Sequence, residues 1–314
     1  MRNYILREKK GKKHIFFDKR NNRINDQKII DNSLEGVYVP PAYDDVKINL
    51  NKTSKVLAIG YDDKGRAQYV YNKKFTKKMK KKKFNGLYLF GLQYNKILKD
   101  INRNIKLNED NKLKHVCMIL KLIIDCNFRV GNDEYMKQNN SYGVSTLKSN
   151  HIIINKGKVT IDFIGKKSVR NVCQVKDRTI KKHLTLKKKT LKNKQRIFTY
   201  KKDHKSKKVN ISSNDVNQYI KQFGDFTSKD FRTWSANIKL IEYLSQSNED
   251  EGVDKDIKKC ITEVAVKLHH TPEVCKKNYL FTGLIEFYKK DKTKFKEYFR
   301  NNINKKFTQF LKNN

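Results

Sequence analysis

Up to about Tyr71 the apolar positions come in short runs close to a period of two. They are Tyr4-Ile5-Leu6, His14-Ile15-Phe16-Phe17, Val37-Tyr38-Val39, Val56-Leu57-Ala58-Ile59 and Tyr69-Val70-Tyr71, separated by Gly, Asn, Asp and Lys clusters. The pattern predicts a small β-rich domain. Pro40-Pro41 stops a strand at Val39, because proline cannot donate to a ladder and pushes the residue before it into an extended conformation. Residues 73–83 then hold eight lysines with Phe75, Thr76 and Met79 between them. Such a density repels itself and builds no core, so it reads as a solvated linker or a strap for a polyanion, and it sets a domain boundary at 78/79.

Beyond the lysines the period lengthens towards 3.6. Leu87, Phe90, Tyr94, Ile97, Ile101 and Ile105 recur at helical spacing, as do Leu113, Val116, Leu120 and Ile124, and both stripes read as core. Residues 127–140 turn polar, and Gly131-Asn132 predicts a tight turn that opens a short helix. A β interlude follows: residues 151–154, a turn at 155–158, then 159–164 with Val159, Ile161 and Phe163 on one face, a turn at 165–168, and a third strand over 171–175. Further helices are predicted over 178–194, from an N-cap at Ser213 to Gly224, from Thr227 or Ser228 to about Leu244, and over 257–268, with an acidic loop at 248–254. Thr271-Pro272, as N-cap and first helical residue, starts a short helix whose second turn carries Tyr279 among lysines; a helical tail covers 284–311. The fold class is α+β, with a β-rich domain at 1–78 and a larger, mainly α domain at 79–314 that carries a β-hairpin insertion.

Charge changes the picture most. Seventy-two Lys and Arg against 32 Asp and Glu leave a formal +40 on 314 residues, yet 37% hydrophobic and 11% aromatic content argues for a folded chain. A folded, strongly basic protein calls for a polyanionic partner, nucleic acid first. An AT-rich coding sequence would account for part of the lysine excess. On the predicted strand after the turn at 62–66, Arg66, Gln68, Tyr69 and Tyr71 are candidates to contact phosphates or base edges; the bland alternative is an ordinary hairpin with half-exposed tyrosines. Cys117, Cys126, Cys173, Cys260 and Cys275 fall at irregular spacings without a CxxC pair, so reduced thiols in an intracellular compartment are expected, with no zinc site. No apolar run approaches the ~18 residues of a membrane span, which predicts a soluble protein with no membrane partner.

Tyr279 taken alone is a packing residue. Arg129 before a turn, Lys166 on a β-turn, Arg232 early in a helix and His270 nine residues before Tyr279 are, each taken alone, solvated cations or structural groups. In that order, however, the set resembles the type IB DNA topoisomerase family, in its poxvirus and giant-virus branch. The likeness covers the whole chain through Pro40-Pro41-Ala42-Tyr43, Asp63-Lys64-Gly65-Arg66-Ala67-Gln68-Tyr69, Arg129-Val130-Gly131-Asn132 with Tyr135, Ser141-Tyr142-Gly143-Val144-Ser145-Thr146-Leu147, Phe163-Ile164-Gly165-Lys166 and Lys229-Asp230-Phe231-Arg232-Thr233.

The resemblance implies a two-domain clamp around duplex DNA. It further implies cleavage of one strand by Tyr279 to a 3′-phosphotyrosyl intermediate, with Arg129, Arg232 and His270 around the phosphate and Lys166 as general acid. Tyr135 and Lys229 join the DNA-contacting candidates. Religation conserves the bond energy, so no ATP, metal or other cofactor is expected, and the sequence has no GxxxxGK[ST] loop. A monomer acting in the virion and the infected-cell cytoplasm is the further expectation. Two alternatives are a tyrosine recombinase, which shares the covalent chemistry but carries H-x-x-R where this chain has Lys229-x-x-Arg232, and a non-catalytic basic DNA-binding protein. One departure is plain: His269 stands where the family usually carries a small residue, often glycine. The nine-residue spacing and the His-Thr-Pro run assign the phosphate contact to His270.

Overall fold

The computed structural model describes residues 1–314 except 2, 12, 64, 204 and 248–251, so Arg2 at the N-terminus, Lys64 of the 62–66 turn and most of the acidic loop lie outside the described residues. The chain divides into two compact units, Met1–Lys83 and Phe84–Asn314.

The first unit is an antiparallel sheet of six strands, β1 (Tyr4–Lys10), β2 (Lys13–Phe17), β3 (Arg23–Ile24), β4 (Asp44–Asn49), β5 (Val56–Tyr61) and β6 (Ala67–Tyr71), in the order β3-β2-β1-β4-β5-β6. Helix α1 (Gln27–Leu34), capped by the Asp26 carboxylate accepting from the Lys28 and Ile29 amides, adds Ile30 to a core of Ile5, Phe16, Val46, Ile48, Leu57 and Ala58. The predicted strand at 37–39 does not form. Val37 and Val39 are buried, but their segment runs outside the ladder. Buried Arg7 donates to the carbonyls of Val39 (3.3 Å), Pro40 (2.9 Å) and Tyr43 (2.9 Å), so a side chain satisfies backbone that a neighbouring strand would otherwise pair. The central position goes instead to β4, whose Val46 and Ile48 are both fully buried.

The lysine run is the other correction in this region. The sequence predicts a solvated linker or a strap there and no helix, whereas the run is the exposed opening of one long helix, α2 (Lys73–Asn104). Lysine is a good helix former and its ammonium groups fan into solvent, while the apolar stripe from Phe84 onward anchors the helix.

In the second unit α2 is followed by α3 (Lys112–Cys126), α4 (Asp133–Asn139), the antiparallel strands β7 (Ile152–Asn155), β8 (Lys158–Ile164) and β9 (Arg170–Gln174), and α5 (Arg178–Thr190). A two-stranded ladder absent from the sequence reading, β10 (Thr199–Tyr200) with β11 (Val209–Asn210), precedes α6 (Ser213–Lys221), which is capped by Ser212 rather than Ser213. Then come α7 (Ser228–Gln246), α8 (Val253–Lys267), α9 (Pro272–Asn278), α10 (Thr282–Lys290), α11 (Lys292–Phe299) and α12 (Ile303–Lys312). Helix α7 is the axis of the core, packed by α3, α6, α8, α11 and α12. Its Trp234, 1% exposed, meets the rings of Phe90, Tyr94 and Phe307, and Gly91 lies so close that an added Cβ would fall 2.6 Å from the indole.

Cys126 and Cys173 are joined as a disulfide, which corrects the expectation of five reduced thiols. The two lie 47 residues apart and are brought together only by the return of β9 against the end of α3, a contact that no cysteine spacing announces. Cys117, Cys260 and Cys275 remain free and buried. Among the described residues no helix is long and apolar enough to cross a membrane.

Candidate active site

Helix α3 ends at Asn127 in the left-handed conformation (φ 54°), which turns the chain so that Phe128 is buried against Phe163 (centroids 4.9 Å) and Arg129 emerges behind it. The Arg129 backbone is then clasped from the other side. Its carbonyl accepts from the Val144 amide (2.9 Å) and that of Val130 from Ser145 (2.6 Å). Gly143 makes this crossing possible, since a Cβ there would lie 2.4 Å from the Gly131 nitrogen and 2.6 Å from the Arg129 carbonyl oxygen.

Arg232 lies on the first turns of α7 and is only 3% exposed. Its Nη2 donates to the Leu268 carbonyl (3.0 Å) and faces His270 Nε2 at 3.1 Å, while Nε and Nη1 have no hydrogen-bond partner among the described residues. Burial pushes its pKa down to about 10, with Tyr279 pulling the other way, so it is a charged guanidinium at neutral pH. Arg129 Nη2 approaches the same His270 Nε2, also at 3.1 Å. A guanidinium can only donate, so this ring nitrogen is an acceptor, shared by two cations. Burial first, then Arg129 and Arg232, hold the His270 pKa down at about 3 and keep the ring neutral.

Tyr279 is the C-cap of the seven-residue α9, at the helix end rather than inside its second turn. Thr271 and Pro272 start the helix as the sequence predicts. The ring is 7% exposed, with its centre 4.8 Å from that of His270 and 5.6 Å from Arg232 Cζ. Asn237, fully buried on α7, fixes the backbone here: Nδ2 donates to the Tyr279 carbonyl (2.9 Å) and Oδ1 accepts from the Phe281 amide (2.7 Å). The sequence reading missed Asn237. Its signal was a polar residue on the otherwise apolar, inward face of α7. Replacing it with Ala strands the buried Tyr279 carbonyl and the partly buried Phe281 amide, so Asn237→Ala is expected to cost about 1–3 kcal/mol, seen as a lowered melting temperature in thermal denaturation.

Lys166 sits on the turn between β8 and β9, followed by Lys167 and Ser168 with φ of 62° and 58°. Its Nζ lies 5.2 Å from the ring centre of Tyr135, which is half exposed on α4. Arg129, Lys166, Lys229, Arg232, His270 and Tyr279 line one cavity of about 560 Å³, to which Lys167 and His269 also contribute. The four remaining candidates lie in the first unit. There Asp62 accepts from both Arg66 (2.7 Å) and Gln68 (2.9 Å), and Tyr69 and Tyr71 stack on one another at 6.1 Å, about half exposed.

The turn that delivers His270 is itself informative. The His269 amide bonds the Val266 carbonyl (3.1 Å) and the His270 amide that of Ala265 (2.9 Å), with His269 at φ 56°. This is a Schellman ending for α8, in which the left-handed residue is ordinarily glycine. A side chain there costs about 1–2 kcal/mol.

A largely buried tyrosine beside two guanidiniums and an imidazole, in a basic cavity on a helical scaffold, is an arrangement whose donors suit an anion such as a phosphate. Residues 72–306 match the family described as Eukaryotic DNA topoisomerase I, catalytic core. The chain is 31% identical to DNA topoisomerase 1B of Acanthamoeba polyphaga mimivirus over 94% of its own length and 90% of the relative. It is 28% identical to DNA topoisomerase 1B of Vaccinia virus (strain Copenhagen), over 75% of this chain and 73% of that one. DNA topoisomerase 1 alpha of Arabidopsis thaliana matches at 28% over 54% of this chain but only 18% of the plant protein. The chain belongs to the type IB DNA topoisomerase family, a family of isomerases. Its place is in the viral branch, beside the mimivirus and poxvirus enzymes.

Proposed function

We propose that this protein relaxes supercoiled duplex DNA by cutting one strand through Tyr279, letting the free end rotate, and resealing the strand without ATP or metal. The observation that carries the reading is the convergence of Arg129, Arg232 and His270 around Tyr279 in one cavity. The Tyr279 oxygen gives up its proton to solvent and bonds to the phosphorus, which stays on the 3′ end, while the bond from phosphorus to the 5′ oxygen breaks and that oxygen leaves with a proton supplied by Lys166, which solvent replaces. As the pentacovalent phosphorus forms, its non-bridging oxygens gain charge. Binding of the phosphate, before any bond changes, draws the shared donors of Arg129 and Arg232 from His270 Nε2 onto those oxygens and leaves the imidazole to add a donor of its own once its proton sits on the phosphate-facing nitrogen. Fixed donors of this kind cost no reorganisation when the charge develops.

The surplus of +40 holds the duplex through its backbone, with the two units acting as a clamp. Tyr69, Tyr71, Tyr135, Arg66, Gln68 and Lys229 contact the DNA, Arg66 and Gln68 after exchanging Asp62 for the nucleic acid. The protein works as a monomer in infected cells. The test is incubation with supercoiled plasmid in EDTA without nucleotide. Relaxation in steps of one linking number is expected; a requirement for magnesium or ATP rules the reading out.

A further inference from the structure

His269 lines the cavity but has no part in the reaction proposed above. Its backbone job, the left-handed residue that ends α8, needs no side chain, and glycine would do it without strain. The imidazole is nevertheless held. Its ring lies against Phe128, centroids 5.5 Å apart at an interplanar angle of 35°, and burial lowers its pKa while the backbone of Cys126 pulls it up. Both partners belong to the short segment that leads into Arg129. That segment is anchored in turn, since Phe128 packs on Phe163 of β8 and Cys126 is bonded to Cys173 of β9, the two strands that flank the Lys166 turn. His269 is therefore joined by the chain to His270 and by its side chain to the approach to Arg129.

We infer that His269 is a positioning residue, whose ring pins the turn carrying His270 to the segment carrying Arg129 so that both present their donors to one phosphate. It acts from the cavity wall, beside the Arg129–His270 contact of 3.1 Å. The inference rests on the reading of Tyr279 as nucleophile. It also explains why a strained left-handed position keeps a large side chain: the strain is offset by registration of two segments that also meet through the Arg129 guanidinium and the His270 ring.

The test separates backbone from side chain. His269→Gly relieves the strained φ and removes the tie, so it is expected to keep or raise the melting temperature and to leave DNA affinity unchanged. Single-turnover formation of the covalent adduct should slow ~10- to 100-fold, the size of effect that a small misplacement of reacting groups produces. His269→Asn and His269→Gln place an amide donor at the reach of Nδ1 and of Nε2 respectively, and one of the two should recover most of the lost rate. Cleavage by His269→Gly at the wild-type rate overturns the inference, and so does a loss of rate that only parallels a loss of stability or DNA affinity. Wild-type protein in the same assay keeps the two readings apart: if it forms no adduct, the nucleophile reading falls and takes this inference with it, whereas wild-type adduct with an unaffected glycine variant sinks the positioning role alone.

Discussion

Tyr279→Phe is expected to abolish both supercoil relaxation and the covalent DNA adduct, while DNA binding and its salt sensitivity persist. The substitution removes one oxygen and nothing that holds the fold. The ring keeps its place beside His270 at 4.8 Å, and the backbone stays fixed by the Asn237 amide at 2.9 Å. What is lost is the atom that, in the proposed reaction, bonds to phosphorus. Adduct trapped by denaturing detergent and resolved on a gel reads the first step, and plasmid relaxation reads the whole cycle. Binding measured at several salt concentrations should fall as log K against log[salt] with the wild-type slope, because the lysines and arginines that displace counterions are untouched. Adduct formed by the Phe variant would move the nucleophile elsewhere. Tyr288 and Tyr298 are poor substitutes: the first is fully buried against Phe295, and the second is packed among Phe287, Phe299 and Phe310.

The sequence made legible whatever depends on local period and on residue order. The stripe from Leu87 to Ile105 became α2, the alternation Val159, Ile161, Phe163 became the buried face of β8, and Thr271-Pro272 started α9 where expected. Arg129, Lys166, Arg232, His270 and Tyr279, scattered over 150 residues, could be grouped only by family resemblance, since no local rule links them; the fold brings them around one cavity. Features made by tertiary contact left little trace. Strand β4 has two apolar residues among charged ones and is central only because its neighbours pair with it. The 37–39 segment reads as a strand until Arg7 takes the Val39 carbonyl at its end. The Cys126–Cys173 bond and the Asn237 clasp join residues whose spacing carries no message. The lysine run misled for a different reason: mutual repulsion argues against a core but not against a helix, whose exposed side chains spread their charges into water.

Arg232 should behave in the opposite way to an ordinary core residue. Its guanidinium is 3% exposed, with the Leu268 carbonyl, a shared imidazole nitrogen and the Tyr279 side chain for company and with Nε and Nη1 unmatched among the described residues. No carboxylate is hydrogen-bonded to it among the described residues, and Arg129 adds a like charge across His270. A buried charge in this setting destabilises the folded chain, and its downward-shifted pKa is the same penalty seen from the proton's side. Arg232→Met, which keeps most of the volume and none of the charge, is therefore expected to hold or raise the melting temperature. Catalysis should move the other way, because in the proposed reaction the guanidinium meets the scissile phosphate, and removal of one preorganised donor typically costs about 10²–10³ in rate. Arg232→Lys restores charge without the planar fork and should recover only part of that loss. Thermal melts and single-turnover adduct formation on the same preparations decide it. A variant that melts lower and cleaves normally would make Arg232 a structural cation; one that melts higher and cleaves slowly shows that fold stability is given up for a cation held ready for the phosphate.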